Sequence, residues 1–223
     1  MRVVFLLFLF SSVFVNAQDI SRNLGDFEKV KVVSGLDITI EKSDSNKVII
    51  SGDLKEDVSV KNKDGRLRIS MNVSSVLKDH NVKVRLFVQN DLKLIDLSEG
   101  SDAKIIGKLE QDFLEVKTQE GSEFEGILYC THSDFRAVTG GVIAVNGQVD
   151  QIDVNVGTGG VFKGMDLDAK SAHVESSTGG VIEVSAIEVL DAEVKVGGSV
   201  YYKGLPKVLN TKKVLGGTIS AKN

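Results

Sequence analysis

The chain has 223 residues, of which 26% are charged and 6% aromatic, with one proline and one cysteine. Its 31 acidic and 27 basic side chains give a formal net charge of −4, which argues against the strongly basic composition of a nucleic-acid-binding protein. One cysteine cannot form an internal disulfide, so non-covalent packing must hold the fold together.

Residues 1–17 have the organisation of a secretory signal peptide. Arg2 precedes a nearly pure apolar run over residues 3–14, and Val15 and Ala17 are small residues at the −3 and −1 positions of a cleavage site. The apolar run is too short to span a bilayer. The residue after the cleavage site is Gln18 rather than a cysteine, so we expect no lipid anchor at this position. We therefore expect an exported chain that begins at Gln18; the alternative is an uncleaved anchor.

Residues 18–95 are predicted to form an irregular N-terminal β region. Runs of alternating apolar residues predict six strands, at 27–33, 36–41, 47–51, 57–61, 66–71 and 82–89. Asp64-Gly65 between two of these runs predicts a β-hairpin, and residues 72–81 predict a polar surface loop. Two alternatives stay open here: early coils of the repeats that follow, or a small antiparallel unit that caps them.

From residue 96 to residue 223 the sequence repeats every 18–21 residues, and each repeat carries a Gly-Gly or Gly-Ser pair. The pairs begin at Gly100, Gly121, Gly140, Gly159, Gly179, Gly197 and Gly216. Strand-forming residues fill the intervals, and such a period is typical of a solenoid, in which each coil contacts only its neighbours. Ser34-Gly35 resembles a degenerate earlier copy of the same turn.

Two apolar columns flank the glycine pairs. Counted from the second residue of each pair, position +2 is Ala103, Phe124, Ile143, Phe162, Ile182, Val200 and Ile219, and position −6 is Ile95, Val116, Phe135, Val154, Val174, Ala192 and Thr211. Strand residues alternate between two faces, so these columns should stack as ladders inside the solenoid. The sequence therefore predicts an all-β fold: a right-handed parallel β-helix of about 20 residues per coil.

The glycines are interpreted as turn residues. A sharp bend between two faces of a coil needs a positive φ, which glycine adopts without steric cost. Thr139, Thr158 and Thr178 precede three of the pairs and are expected to form a short external ladder. A phosphate-binding glycine loop would need a following helix, whereas strand-forming residues follow these pairs.

The C-terminal segment is cationic. From residue 203 to residue 223 it contains no acidic residue and five lysines: Lys203, Lys207, Lys212, Lys213 and Lys222. One interpretation is edge protection, because the last coil of a solenoid is an open sheet edge where lysines discourage pairing. The other is a cationic end that binds an acidic glycan or another envelope component. Tyr201 and Tyr202 are candidates for such a surface, because one of two adjacent strand residues should face outward and could stack on a sugar; the alternative is that one of them caps the final coils.

Three segments, spread over almost the whole exported chain, together match the pattern of a known protein family. They are FEKVKV and GLDITI at 27–32 and 35–40, LIDLSEGS at 94–101, and GGSVYYKGLP with GGTI at 197–206 and 216–219. In this order they resemble the head GIN domain family, exported bacterial proteins of the Bacteroidetes lineage that are described as putative autotransporter adhesins. The resemblance implies a right-handed parallel β-helix and an adhesin-like role, and it assigns no catalytic residue.

β-Helices also carry polysaccharide lyases and hydrolases, so a carbohydrate-active enzyme is the main alternative. Asp166 and Asp168 share one strand face, and Glu183, Glu188 and Asp191 could add carboxylates from the adjacent coil. Acidic residues are common on the turns of an acidic solenoid, however. Arginines that could stabilise the enolate of a lyase reaction are scarce after residue 17: Arg22, Arg66, Arg68, Arg85 and Arg136. No catalytic residue is therefore predicted.

The cysteine and the histidines do not predict a site. Cys130 is interpreted as a small buried apolar residue, and the alternative is a Cys-His pair with His132, two residues on and expected on the same strand face. His80, His132 and His173 lie about 40–50 residues apart and match no metal-binding motif. We expect no metal and no cofactor.

These observations predict an exported, non-enzymatic protein with an adhesin-like role at the cell envelope or surface, binding a glycan or a protein. The candidate binding residues are Tyr201, Tyr202, Lys203, Lys207, Lys212 and Lys213. A structural envelope component without a ligand is a third alternative. We expect no nucleic-acid partner, no membrane span after signal cleavage, and a location in the periplasm, at the outer membrane or outside the cell.

Overall fold

The computed structural model describes residues 18–72, 74–75 and 81–222; the predicted signal peptide, residues 1–17, and His80 lie outside this part of the chain. Strands make up 70% of the structure, which confirms the all-β prediction. Within the described residues the helical element is one short 3-10 turn, Lys55–Asp57. The strands are β1 (Ile20–Asn23), β2 (Lys29–Val32), β3 (Asp37–Lys42), β4 (Lys47–Ser51), β5 (Val58–Lys63), β6 (Arg66–Met71), β7 (Lys83–Val88), β8 (Leu94–Leu97), β9 (Asp102–Gln119), β10 (Glu123–Val138), β11 (Val142–Gly157), β12 (Val161–Ser176), β13 (Val181–Val196), β14 (Ser199–Lys203), β15 (Val208–Leu215) and β16 (Thr218–Ala221).

Strands β9 to β13 each form most of one coil of a parallel solenoid. They are 16–18 residues long, and each pairs in parallel with the coil before and after it. In β9, consecutive outward residues at 106–108 and 112–113 interrupt the alternation of buried and exposed side chains and mark two corners of the coil. The solenoid has about seven turns of about 19 residues, which confirms the predicted parallel β-helix.

The two predicted apolar columns form the core. Each +2 residue is the register partner of the next, from Ala103 to Ile219, and each −6 residue is likewise paired from Ile95 to Thr211. From Ala103 to Val200 and from Ile95 to Ala192 these side chains are at most 3% exposed. Residues of the two columns become accessible to solvent only in the last coil, where Ile219 is half-buried and Thr211 is exposed.

The two glycines of the pair Gly140-Gly141 are needed for different reasons. Gly140 has φ +75, and the preceding Thr139 also lies in the left-handed region at φ +51. The positive-φ explanation therefore holds for the first glycine. It is wrong for Gly141, where a Cβ would instead collide with the backbone carbonyl of Thr118 on the previous coil. Thr139, Thr158 and Thr178 are exposed, and their carbonyls accept hydrogen bonds from the first glycine of the preceding turn at 3.2 Å.

Large and small core residues compensate within a coil. The ring of Phe162 lies over Gly164, at a position where a Cβ would clash with the ring, and the ring of Phe124 leaves about 3.2 Å for a Cβ at Gly126. In two other coils the smaller pairs Ile143 with Val145 and Ile182 with Val184 occupy the same positions. The interior volume of a coil is thus filled by either a ring and a glycine or two aliphatic side chains.

The N-terminal region belongs to the same sheet but does not stack in chain order. β2 lies between β6 and β8, and β3 lies between β7 and β9, all in parallel. β1, β4 and β5 add antiparallel pairings, so parallel coils and antiparallel strands occur together here. The predicted hairpin joins β5 to β6, with Asp64 and Gly65 at φ +52 and +74, as a type I′ turn requires.

Candidate functional site

The C-terminal end of the solenoid is an uncovered coil. β14 and β15 both stack on β13, and β16 covers β14, but no described strand pairs with the outer edge of β15. All eight residues of β15 are exposed. Leu205, in the connection before it, is 94% exposed, and Leu215 at its end is 68% exposed. Within the described part of the chain, this end therefore combines an unpaired strand edge with exposed apolar side chains.

The two adjacent tyrosines of β14 face opposite sides, as strand alternation predicts. Tyr202 packs against the core cluster. Tyr201 faces the outer surface, where the ammonium of Lys222 lies 5.9 Å from its ring centroid. Of the predicted tyrosine pair, only Tyr201 is thus placed to stack on an external ligand.

Most of the predicted lysines face acidic side chains of the neighbouring coils. The Nζ atoms of Lys203, Lys207 and Lys212 lie 3.8, 3.2 and 3.0 Å from carboxylate oxygens of Asp166, Glu188 and Glu193, respectively. The hydrogen bond from Lys212 lowers the pKa of the Glu193 carboxyl. The positive charge of this segment is therefore largely balanced by the coil beneath it.

Lys213 differs from the other lysines. It is the register partner of Val194, which belongs to the core, so its side chain starts from an inward position on a coil that no described strand covers. No carboxylate of the described residues forms an ion pair with it. Lys213 is thus the cationic group that remains available at the open end.

Tyr129 forms a second exposed aromatic surface, which the sequence reasoning missed. The side chain is 41% exposed, and the ammonium of Lys108 lies 5.4 Å from its ring centroid. Glu110 and Gln148 are its register partners on the adjacent coils and line the same shallow cavity of about 390 Å³. Its position was available from the sequence, because Tyr129 must point outward if the neighbouring Cys130 points inward.

A larger open groove of about 730 Å³ lies over β3, β7, β9 and β10. Asp37, Asp102 and Glu123 stack in register along it. Partial burial raises the pKa of the Asp102 carboxyl, and the negative charges of Asp37 and Glu123 raise this pKa further. The backbone N–H of Glu123 lowers it by donating a hydrogen bond of 3.1 Å to Oδ1 of Asp102. Lys104 pairs with Glu125 at 2.8 Å on the same surface. The groove is therefore a mixed-charge surface open to solvent.

The Cys-His alternative is wrong. Cys130 is buried, but Thr131 and His132 both point outward before Ser133 turns in, because the chain passes a corner of the coil. His132 instead contacts the carboxylates of Asp134 and Asp153. Burial raises the pKa of the Cys130 thiol, which is the opposite of what a thiolate nucleophile requires.

Four of the five carboxylates considered for glycoside hydrolysis face basic partners rather than one another. Glu183 pairs with Lys222 at 2.6 Å, in addition to the pairs of Asp166 and Glu188 with Lys203 and Lys207. Asp191 lies 3.9 Å from Nδ1 of His173, and Asp168 is exposed on the same strand as Asp166. Their arrangement is that of charge pairs between stacked coils.

Known structures share this fold. A putative adhesin from Bacteroides fragilis is 22% identical with a TM-score of 0.84, covering 92% of this chain and 98% of that one. A putative adhesin from Parabacteroides distasonis is 19% identical with a TM-score of 0.76, covering 92% and 96%. A putative lipid binding protein from the same species is 19% identical with a TM-score of 0.67, covering 93% and 98%. At these identities the likeness concerns the fold alone.

A comparison with curated proteins finds no match. Among the residues described, no helical segment has the length and apolarity that crossing a bilayer requires. The family model described as "Putative auto-transporter adhesin, head GIN domain" matches residues 26–206, from just before β2 to the connection between β14 and β15. Since this match spans most of the sequence, the chain belongs to the head GIN domain family of putative auto-transporter adhesins.

Proposed function

We propose that this protein is an exported, non-enzymatic binding module of the cell envelope or cell surface, and that its open C-terminal end binds an acidic glycan. The observation that carries the proposal is the combination of an uncovered strand, β15, with the outward-facing ring of Tyr201 and the available ammonium of Lys213. The family supports an adhesin-like role. Export rests on the signal-peptide organisation of residues 1–17.

The chemistry of this end suits a sugar polymer. A tyrosine ring offers an apolar face on which a pyranose ring can stack while its hydroxyl bonds to water or ligand. An ammonium group at the same end of the solenoid can bind a carboxylate or sulfate of the polymer. Because Lys203, Lys207 and Lys212 are paired with acids, we expect one charge, that of Lys213, to carry most of the preference for acidic over neutral polymers.

The test is retention of the purified protein on immobilised neutral and acidic polysaccharides, together with an assay for new chain ends. We expect retention on an acidic polymer without cleavage. Tyr201→Ala should weaken binding roughly two- to tenfold, which is the contribution of about 0.5–1.5 kcal/mol expected of an aromatic contact. Tyr129→Ala is the matched control, since Tyr129 is also a partly exposed tyrosine with a lysine beside its ring.

Charge reversal distinguishes specific binding from general attraction. Lys213→Glu should abolish the preference for the acidic polymer, whereas Lys212→Glu is a poor probe because it would place a second carboxylate against Glu193. Equal losses for Tyr129→Ala and Tyr201→Ala would contradict the C-terminal site. New chain ends would contradict a non-enzymatic role, and the absence of retention on every polymer would contradict glycan binding in favour of a protein partner or a structural role.

A further inference from the structure

One imidazole and two carboxylates meet on a face of the solenoid away from the C-terminal end. His132 and Asp134 belong to β10, and Asp153 belongs to β11, the next coil. Nε2 of His132 lies 2.7 Å from Oδ1 of Asp134 and 3.3 Å from Oδ2 of Asp153. One ligand atom from each residue falls within 4.8 Å of the other two. We propose that these three residues bind a divalent transition-metal cation of the Zn²⁺ type.

The distances fit a shared cation. Ligand atoms that lie about 2.0–2.2 Å from a tetrahedral Zn²⁺ are about 3.3–3.5 Å from one another. The separation of 3.3 Å between His132 and Asp153 already matches this value, and the contact of 2.7 Å between His132 and Asp134 would have to lengthen by about 0.6 Å. The three side chains are 33%, 41% and 40% exposed, so an ion can enter and water can complete its coordination.

The charges around the cluster support the same conclusion independently of its geometry. Asp134 and Asp153 are direct register partners, and like charges opposite each other in a sheet are destabilising. Within the described residues, neither carboxylate has a lysine or arginine at ion-pair distance. Asp153 Oδ2 also accepts a long hydrogen bond of 3.4 Å from Nε2 of Gln151, but the partner that both carboxylates share is Nε2 of His132, which carries at most one hydrogen. A dication would satisfy both carboxylates at once.

The rest of this face shows how unusual that stack is. Three other acids on it are each balanced by a lysine at 2.6–3.0 Å: Glu115 by Lys117, Glu175 by Lys195, and Glu193 by Lys212. The two coils of the cluster carry Arg136 and Asn155 in register with Lys117, and neither side chain forms an ion pair with Asp134 or Asp153. The two stacked carboxylates therefore have an imidazole beside them where the neighbouring acids have an ammonium group.

The ligand set selects the class of metal. One nitrogen and two carboxylate oxygens suit Zn²⁺ and its neighbours in the first transition row, whereas Mg²⁺ and Ca²⁺ prefer oxygen ligands alone. The cluster lines an open groove of about 540 Å³, and the ring of Phe113 lies 5.7 Å from that of His132 on one side. His173, the register partner of Asp153, lines the same groove.

Calorimetric titration of the chelator-treated, purified protein with ZnCl₂ tests the site. We expect one Zn²⁺ per chain and, at a hundredfold excess over Kd, a rise in Tm of about 5–10 °C. Asp134→Asn and Asp153→Asn should each weaken binding at least about tenfold. CaCl₂ should bind much more weakly than ZnCl₂.

Asp191→Asn provides the matched control. Asp191 also faces a histidine, His173 at 3.9 Å, but its own register partners are His173 and Asn210 rather than a second carboxylate, so its substitution should leave Zn²⁺ binding unchanged. Asp153→Asn also has a readout in the absence of metal, because relief of the repulsion with Asp134 should raise Tm even as the response to Zn²⁺ is lost. The proposal is overturned if no saturable Zn²⁺ binding occurs, or if Asp191→Asn weakens binding as much as Asp153→Asn.

Discussion

Lys213 is the register partner of Val194, and between these two residues the apolar core column of the solenoid ends. Val194 is fully buried, whereas Lys213 lies on the uncovered strand β15. Earlier coils place Ala137, Val156 and Ser176 in the same column, all of them buried. A charged side chain that points inward on a free edge strand opposes pairing with another chain, because pairing would bury its charge.

Replacing that charge should therefore allow the solenoid ends to associate. Lys213→Val would complete an apolar edge beside the exposed Leu209 and Leu215. We expect concentration-dependent dimers or larger assemblies, measured as an increase in weight-average mass by sedimentation velocity. Lys212→Val is the control, since Lys212 points to the outer face and pairs with Glu193. If Lys213→Val stays at the mass of the parent protein, Lys213 does not protect this edge.

The pairing of a ring with a glycine predicts an energetic coupling in the core. Gly164→Val places a side chain against the ring of Phe162 and should destabilise the protein by about 1–3 kcal/mol through overpacking. Phe162→Ile alone leaves a cavity and should cost about 2 kcal/mol. The double variant reproduces the Ile143 and Val145 arrangement of the previous coil, so it should lose less stability than the sum of both changes.

The measurement is the free energy of unfolding of the four proteins in urea, with the interaction energy taken from the double-mutant cycle. We expect a coupling of about 1–3 kcal/mol in favour of the double variant. If the free-energy changes of the two single variants simply add up in the double variant, the side chains at positions 162 and 164 do not compete for the same space. Ile182→Val, at the equivalent position of the next coil, serves as a mild control with an expected loss of about 1 kcal/mol.

Adjacent glycines of one turn should tolerate alanine very differently. Gly159 has φ +71, and no atom lies within 4 Å of the position that a Cβ would occupy there, so Gly159→Ala should cost only the left-handed strain of about 1 kcal/mol. At Gly160 the new Cβ would meet the carbonyl of Ala137 on the previous coil and force the coils apart. Gly160→Ala should therefore cost about 3 kcal/mol in urea unfolding; equal losses would contradict the steric explanation.

The periodic part of the fold could be predicted because one residue pattern determines its register. The interval of 19 residues between Phe124 and Ile143 is also the interval between Phe135 and Val154, and both are observed register pairs. The stacking of β2 between β6 and β8 could not be predicted in this way. Strands without a shared period can pair in several orders, and long-range packing decides among them.

The corners of the coil limited the prediction of side-chain direction. Strict alternation placed His132 on the face of Cys130, whereas the corner at Thr131 turns His132 outward. The same 19-residue period nevertheless relates Asp134 to Asp153, so the repeat contained the information that these two carboxylates stack. Spacing along the chain between the histidines does not reveal this stack, because its acids lie one coil apart.

Cys130 should be chemically inert in the folded protein. Its side chain is 8% exposed, and burial raises the pKa of the thiol, so little thiolate is present at neutral pH. Modification then requires local opening, and an opening that costs about 3 kcal/mol slows the reaction about 100-fold relative to a free thiol. The rate of reaction with a chromogenic disulfide reagent, with and without urea, measures this directly.

A neighbouring position supplies the comparison for Cys130. Thr131→Cys in a Cys130→Ala background puts the thiol on the exposed side of the same corner, one residue away. This variant should react at close to the rate of a free thiol without urea, and its rate should rise with pH as an ordinary thiol ionises. The parent protein should approach the same rate only as it unfolds. If native Cys130 reacts as fast as the exposed variant, the corner does not bury the thiol, and the assignment of its inward direction fails.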